Sequence, residues 1–293
     1  MDYFTVKQNY YTGNYSQVLK EIDVLGADDT TLFYKARSQI ALGSYESNAS
    51  AGQLGASFDS YNAFLKSKKI EDVSIKEDSA SNYELVLLAS ANAIVGDYET
   101  ASQLCNKGID SDEEVGKLEL LLLAVEISLL NEKPTIAKAL YDNFVNQKTA
   151  QGEFSSEDEL IVNLAESYIK FFTNVDTTSS NFYYYSEISQ SFSTWSAQLR
   201  LLNSHLQQGH LTEAQDIVKV LESEYYSVQQ KEQADLFKPE LLVQKITLSA
   251  MQDDGNIESL RTELKSLAPE HAYLKNNEKI NNKFDELVVK YSS

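Results

Sequence analysis

Residues 110–116, Asp110-Ser111-Asp112-Glu113-Glu114-Val115-Gly116, place four carboxylates in seven positions, the donor type that a calcium loop requires. Two positions break that pattern: the glycine comes one place late, and Leu121 stands where a bidentate Glu must close the site. Carboxylates ahead of a helix also favour its positive N-terminal end, which is the simpler expectation here. The other groups with chemical potential are His205, His210, His271 and the single thiol, Cys105. The apolar pattern sets His205 on a helix face, His210 beside a turn and Cys105 where a small packing residue belongs, so structural roles are expected for them. No phosphate-binding Gly-Lys-Ser/Thr motif and no dinucleotide fingerprint occurs. The chain is therefore expected to be no enzyme, with no catalytic residue, metal or cofactor site.

What positions these residues is a repeat. Three prolines and eleven glycines in 293 residues, with abundant Leu, Ala, Glu and Lys, favour helix. A Gly-x-Tyr tripeptide recurs as Gly13-Asn14-Tyr15, Gly43-Ser44-Tyr45 and Gly96-Asp97-Tyr98. In 85–109 the first helix carries Leu85, Leu88, Ala89 and Asn92 on one face. Gly96 stops it, and Tyr98, Ala101, Leu104 and Cys105 form the inward face of a second helix. Gly admits the left-handed backbone that ends a helix, Ala lets two helices cross closely, and Tyr fills the wedge at the turn. These are tetratricopeptide-type preferences. The same template fits 201–221 through Gly209 and Ala214, 6–25 through Gly13 and Tyr15, and 33–45 through Gly43 and Tyr45; in 120–144 the turn glycine is missing. The expectation is an all-α, tetratricopeptide-like solenoid of helical hairpins, a single domain over 1–293.

Several local expectations follow. Residues 44–56 are small and polar and read as an inserted loop, followed by a displaced helix bearing Leu54, Phe58, Tyr61 and Leu65 and a polar connection over 66–82. Thr212 with Gln215, and Ser156 with Glu159, have the spacing of capping boxes. In 181–192, NFYYYSEISQSF, Phe182, Tyr185 and Ile188 or Ser189 should face inward and Tyr183 and Tyr184 to one side. Register is weakest at 230–270, where Pro239 and Pro269 suggest helix boundaries.

Composition excludes some partners. The net charge is −19, which repels phosphate backbones and anionic headgroups, so neither nucleic-acid binding nor direct membrane insertion is expected. The opening residues have no basic and apolar signal pattern, and one cysteine excludes an internal disulfide, so a cytosolic setting is expected. First helices of tetratricopeptide hairpins line the concave face. There the register puts Lys7, Tyr10, Tyr11, Arg37, Ile40, Ser90, Ala93, Ile94, Asn203, Leu206 and Gln207. Of these Lys7, Tyr10, Tyr11, Arg37, Ser90, Asn203 and Gln207, with Tyr183 and Tyr184, are the candidate partner contacts.

The segments MDYFTVKQNYYTGNY, LELLLLAVEISLLN, NLAESYIKF, SNFYYYSEISQSF, LLNSHLQQGHLTEAQ and HAYLKNNEKINNKFDELVVKY together resemble the coatomer epsilon-subunit family over essentially the full length. The closing segment, 271–293, carries His271, Leu274, Lys275, Phe284, Asp285, Leu287, Val288 and Tyr291 in that family's pattern, unlike a generic repeat cap. The resemblance implies a structural subunit of the COPI vesicle coat, a right-handed superhelix curled around the C-terminal domain of the coatomer alpha subunit. It also implies a role in Golgi-to-endoplasmic-reticulum and intra-Golgi transport, with the Arf GTPase recruiting the whole complex to the Golgi membrane. Two alternatives are a tetratricopeptide adaptor for chaperones, which needs converging Lys, Arg and Asn, and a helical-repeat enzyme subunit such as a prenyltransferase-like alpha chain.

Overall fold

The computed structural model describes residues 3–48, 51–151 and 155–291. Among them every regular element is helical, and consecutive helices pair as tetratricopeptide-like hairpins. The chain forms two compact units, Met1–Asp176 and Thr177–Ser293.

The first unit contains α1 (Phe4–Tyr11) with α2 (Tyr15–Ile22), α3 (Asp29–Ala41) with α4 (Gly52–Ser67), α5 (Asn82–Ile94) with α6 (Tyr98–Ile109), α7 (Lys117–Leu130) with α8 (Pro134–Gln151), and then α9 (Ser156–Thr173). The second contains α10 (Ser180–Ser191), α11 (Trp195–Gln208), α12 (Leu211–Leu221), α13 (Lys231–Gln252), α14 (Ile257–Leu267) and α15 (Ala272–Tyr291), with a π-helical turn at Tyr225–Gln229. Each unit has its own apolar core. That of the first runs from Val6 to Ile169, and the second holds one cluster around Trp195, Leu202 and Leu221 and another around Leu242, Ile246 and Leu264.

One backbone device closes the hairpins. Gly13, Gly43, Gly96 and Gly209 have φ of 78°, 67°, 89° and 71°, and the residue after each donates its N–H to the carbonyl five residues back, at 2.8, 2.9, 2.9 and 3.0 Å. That bond satisfies a carbonyl which a helix end otherwise leaves without a partner. The hairpin of α7 and α8 lacks the glycine and uses the same geometry: Glu132 takes φ 57°, and Lys133 N–H reaches Ser128 O at 2.8 Å. Five residues past their turns, Ala101, Ala137 and Ala214 are buried, as is Ala36 within α3, as close crossing requires.

Four local expectations need correction. Residues 44–48 are irregular but α4 begins at Gly52, so the end of the expected 44–56 loop is already helical, with Leu54 buried in the core. Helix α12 starts at Leu211, placing Thr212 inside the helix and leaving its expected box with Gln215 unmade. The box at α9 lies one residue earlier than expected: Ser155 N–H donates to Asp158 at 2.9 Å and Asp158 N–H to Ser155 Oγ at 3.2 Å. Pro239 lies within α13, where the burial of Leu241, Leu242, Ile246 and Leu248 carries the helix past the lost backbone bond, whereas Pro269 does fall between α14 and α15.

Candidate functional site

Helix α7 is so apolar that Leu120, Leu121, Val125 and Ile127 are all essentially fully buried, yet it carries Glu119 in the same interior. A buried carboxylate needs donors and a counter-charge. Tyr34 of α3 donates its hydroxyl to Glu119 at 2.5 Å, and Lys7 of α1 brings Nζ to 3.7 Å. The Tyr11 and Tyr34 hydroxyls lie 3.4 Å apart, and α1 also packs against α9. The first helices of this unit thus meet one another, and Lys7 and Tyr11 are buried by the chain itself. Burial and the Glu119 charge push both phenols, Tyr11 and Tyr34, well above the ordinary tyrosine value, so they act as neutral donors.

Beside this polar knot lies a cluster that remains partly open. Arg37 of α3 sets its guanidinium 4.8 Å from the centroid of the Tyr10 ring and 5.0 Å from that of Phe33. Tyr10 in turn meets Tyr11, Tyr15 and Tyr34 edge-on with ring centroids 5.2, 5.4 and 5.1 Å away. Tyr61 of α4 completes the surroundings of Arg37 and approaches Ser90 of α5. Tyr10, Arg37, Tyr61 and Ser90 are all half-buried. Among the described residues Arg37 makes no ion pair and donates no hydrogen bond; its rings hold it through cation–π attraction, worth about 0.5–2 kcal/mol per contact. Its N–H donors therefore stand available for a planar acceptor such as a carboxylate.

Sequence periodicity located Tyr10, Arg37 and Ser90 but missed Tyr61, Phe33, Tyr34 and Glu119 as members of this constellation. For Glu119 a signal existed: one carboxylate at the head of a run of leucines has to be paired. Of the remaining face residues in this unit, Ile40 and Ala93 pack against the core and Ile94 is exposed.

In the second unit, Asn203 and Gln207 are half-buried, Leu206 is buried, Tyr183 is 66% exposed and Tyr184 leans on buried Tyr185 at 5.0 Å. The His205 ring touches Phe182 at 5.3 Å and His210 at 5.8 Å, and its Nδ1 is buried without a hydrogen-bond partner. Burial first, and the neighbouring His210 second, lower its pKa, with Glu213 opposing.

The acidic run at 110–116 is committed to structure. Buried Asn82 donates Nδ2 to the carbonyls of Glu113 (2.7 Å) and Val115 (3.0 Å), while its N–H donates to the Glu113 carboxylate at 3.0 Å. Glu114 pairs with Lys117 at 2.8 Å and Lys148 at 2.6 Å. Gly116 takes φ 81° to start α7. Cys105 is fully buried, and burial pushes its thiol up to about 12, which leaves no reactive thiolate at neutral pH. Among the described residues no group of three or more His, Cys, Asp and Glu is arranged to hold a metal ion, and no helix is long and apolar enough to cross a membrane.

Comparison with known proteins supplies a family. Residues 2–292 match the sequence profile of the family described as coatomer epsilon subunit. The protein named coatomer subunit epsilon of Saccharomyces cerevisiae is 50% identical over 297 aligned residues, covering 100% of this chain and 99% of the relative.

Proposed function

Because the chain belongs to the coatomer epsilon-subunit family, and so is a component of the COPI vesicle coat, we propose that it acts by binding rather than catalysis. It holds and stabilises the C-terminal domain of the coatomer alpha subunit during Golgi-to-endoplasmic-reticulum and intra-Golgi transport. The full-length family match carries this proposal. The half-buried cluster of Tyr10, Arg37, Tyr61 and Ser90 is where the contact is centred, with a carboxylate of the alpha subunit accepting from Arg37. Tyr183, Tyr184, Asn203 and Gln207 are further candidate contacts in the second unit. Lys7 and Tyr11 serve indirectly, by fixing the Glu119 knot on which Tyr10 and Arg37 rest.

A cytoplasmic setting, with membrane contact made through the complex and recruitment by the Arf GTPase, fits a surface of net charge −19. A chaperone adaptor is not favoured: its clamp for an acidic tail needs several converging cations, whereas Lys7 is engaged with Glu119 and Arg37 is left to stand by itself. Affinity capture of the tagged full-length chain from cytosol tests the proposal. The alpha subunit should be recovered at near-equal stoichiometry; its absence overturns the proposal.

A further inference from the structure

Helix α15 buries none of its residues. Its sequence nevertheless places Tyr273, Ile280, Phe284, Leu287 and Tyr291, with Asn277 in the register, at alternating steps of four and three, the period of a stripe made to seat against another helix or groove. Ile280 is 64% exposed, Phe284 64%, Leu287 43% and Tyr291 73%, with Val288 alongside at 44%. The first turn is held: Tyr273 and Leu274 lean on the Leu242, Ile246 and Leu264 cluster, and Arg261 donates to the Tyr273 hydroxyl at 3.2 Å. Sequence economy argues against such a face being left in water, since an exposed contiguous apolar patch marks an interaction site.

The charges along α15 select the occupant. Lys279, Lys283 and Lys290 fall on one flank of the stripe together with Glu286, which pairs with Lys283 at 3.5 Å and leaves that flank net basic, whereas Glu278 and Asp285 fall on the other flank and Lys275 lies on the back of the helix. The helix has four basic against three acidic residues in a chain of net charge −19. A second copy is a poor match: antiparallel pairing sets the lysine flank against itself, parallel pairing sets it against Asn281 and Val288, and each copy adds the same negative charge. An anionic lipid surface is disfavoured by that net charge and by the acidic flank.

We propose that α15 is a docking helix whose apolar stripe seats in a groove of the coatomer alpha subunit, with acidic side chains of that groove facing Lys279, Lys283 and Lys290. This rests on the proposed association with the alpha subunit and adds a second, C-terminal contact to it. The mode is that of an amphipathic helix in a groove, with anchors read at three- and four-residue steps.

The test uses the full-length chain and the full-length alpha subunit, comparing wild type with Phe284→Asp/Leu287→Asp and with Lys279→Glu/Lys283→Glu. In the complex, amide exchange over 280–291 should slow at least about tenfold relative to the free chain. The apolar double variant should bind at least about tenfold more weakly while its thermal unfolding is unchanged, because these side chains are exposed in the free chain. The charge-reversal variant should lose affinity at low salt and recover relative to wild type as salt rises. A wild-type complex in which α15 still exchanges freely, or which both variants form with wild-type affinity, overturns this inference alone. Self-association or flotation with anionic vesicles that is abolished by the apolar variant, without any effect on the alpha subunit, also overturns it. Failure of the wild type to bind the alpha subunit overturns the proposed function as well.

Discussion

At Arg37 the guanidinium lies 4.8 and 5.0 Å from two ring centroids and makes no ion pair among the described residues, so its stacking is intramolecular while its hydrogen-bonding edges are free. Arg37→Gln should weaken alpha-subunit binding at least about tenfold by calorimetric titration, with thermal stability lowered by only about 1 kcal/mol for the lost cation–π contacts. Arg37→Lys should not restore the affinity, because an ammonium cannot present a planar pair of donors. Wild-type binding by the glutamine variant would remove Arg37 from the interface. The sequence pattern disclosed Arg37 and Tyr10 because both lie on first-helix faces. It hid Tyr61, which reaches them from α4 after the irregular segment 44–48 breaks the repeat register. His205 is the second instructive residue. Its pKa is lowered in the folded chain, so below its ordinary value of about 6.5 the unfolded chain binds the proton more readily. The stability owed to neutral His205 is thus complete above that pH and is lost as pH falls through it towards the lower folded value. Melting temperature measured from pH 7.5 down to 5.5 should therefore fall more steeply for wild type than for His205→Gln; parallel profiles would refute the assignment.

At the level of elements, the hairpins were legible because the turn is a backbone requirement written in residue type: Gly13, Gly43, Gly96 and Gly209 all adopt positive φ with the same bond to the carbonyl five residues back. The α7–α8 turn was harder to read, since Glu132 occupies the left-handed position and no residue type advertised it. Such a position costs a side-chain-bearing residue about 1 kcal/mol relative to glycine. Glu132→Gly should accordingly raise the unfolding free energy by about 0.5–1 kcal/mol, whereas Gly96→Ala, at φ 89°, should lower it by about 1 kcal/mol or more; chemical denaturation of both variants checks the pair. Equal destabilisation by both would mean that the Glu132 side chain itself supports the turn. Helix limits were less legible than turns. Pro239 inside α13 and Ser155 in place of Ser156 at α9 are decided by burial further along the helix and by which side chain reaches the free N–H groups, and neither is fixed by local composition.

On the scale of the whole molecule, residue composition anticipated an all-helical chain, and periodicity anticipated a series of hairpins, but neither marked the division at Asp176 and Thr177. That division depends on which helices share a core. The core of the first unit ends at Ile169 and includes α9 residues Ile161, Leu164 and Ala165, whereas the clusters of the second are built from Trp195 onwards. Between them stands Asn174, a left-handed helix end at φ 55°, where Val175 N–H bonds to Lys170 O at 3.2 Å and the capped helix stops. Because among the described residues no buried side chain of the first core comes from beyond Asp176, residues 1–176 expressed alone should keep that core intact. The fragment should unfold cooperatively in urea, with near-native helical circular dichroism. Its Glu119→Ala variant, which removes the buried carboxylate that accepts from Tyr34 and faces Lys7, should lose about 3–5 kcal/mol in the fragment and in the full chain alike. A fragment without a cooperative transition would show that the first core depends on residues beyond 176, and would move the origin of its stability from the hairpins themselves to their continuation.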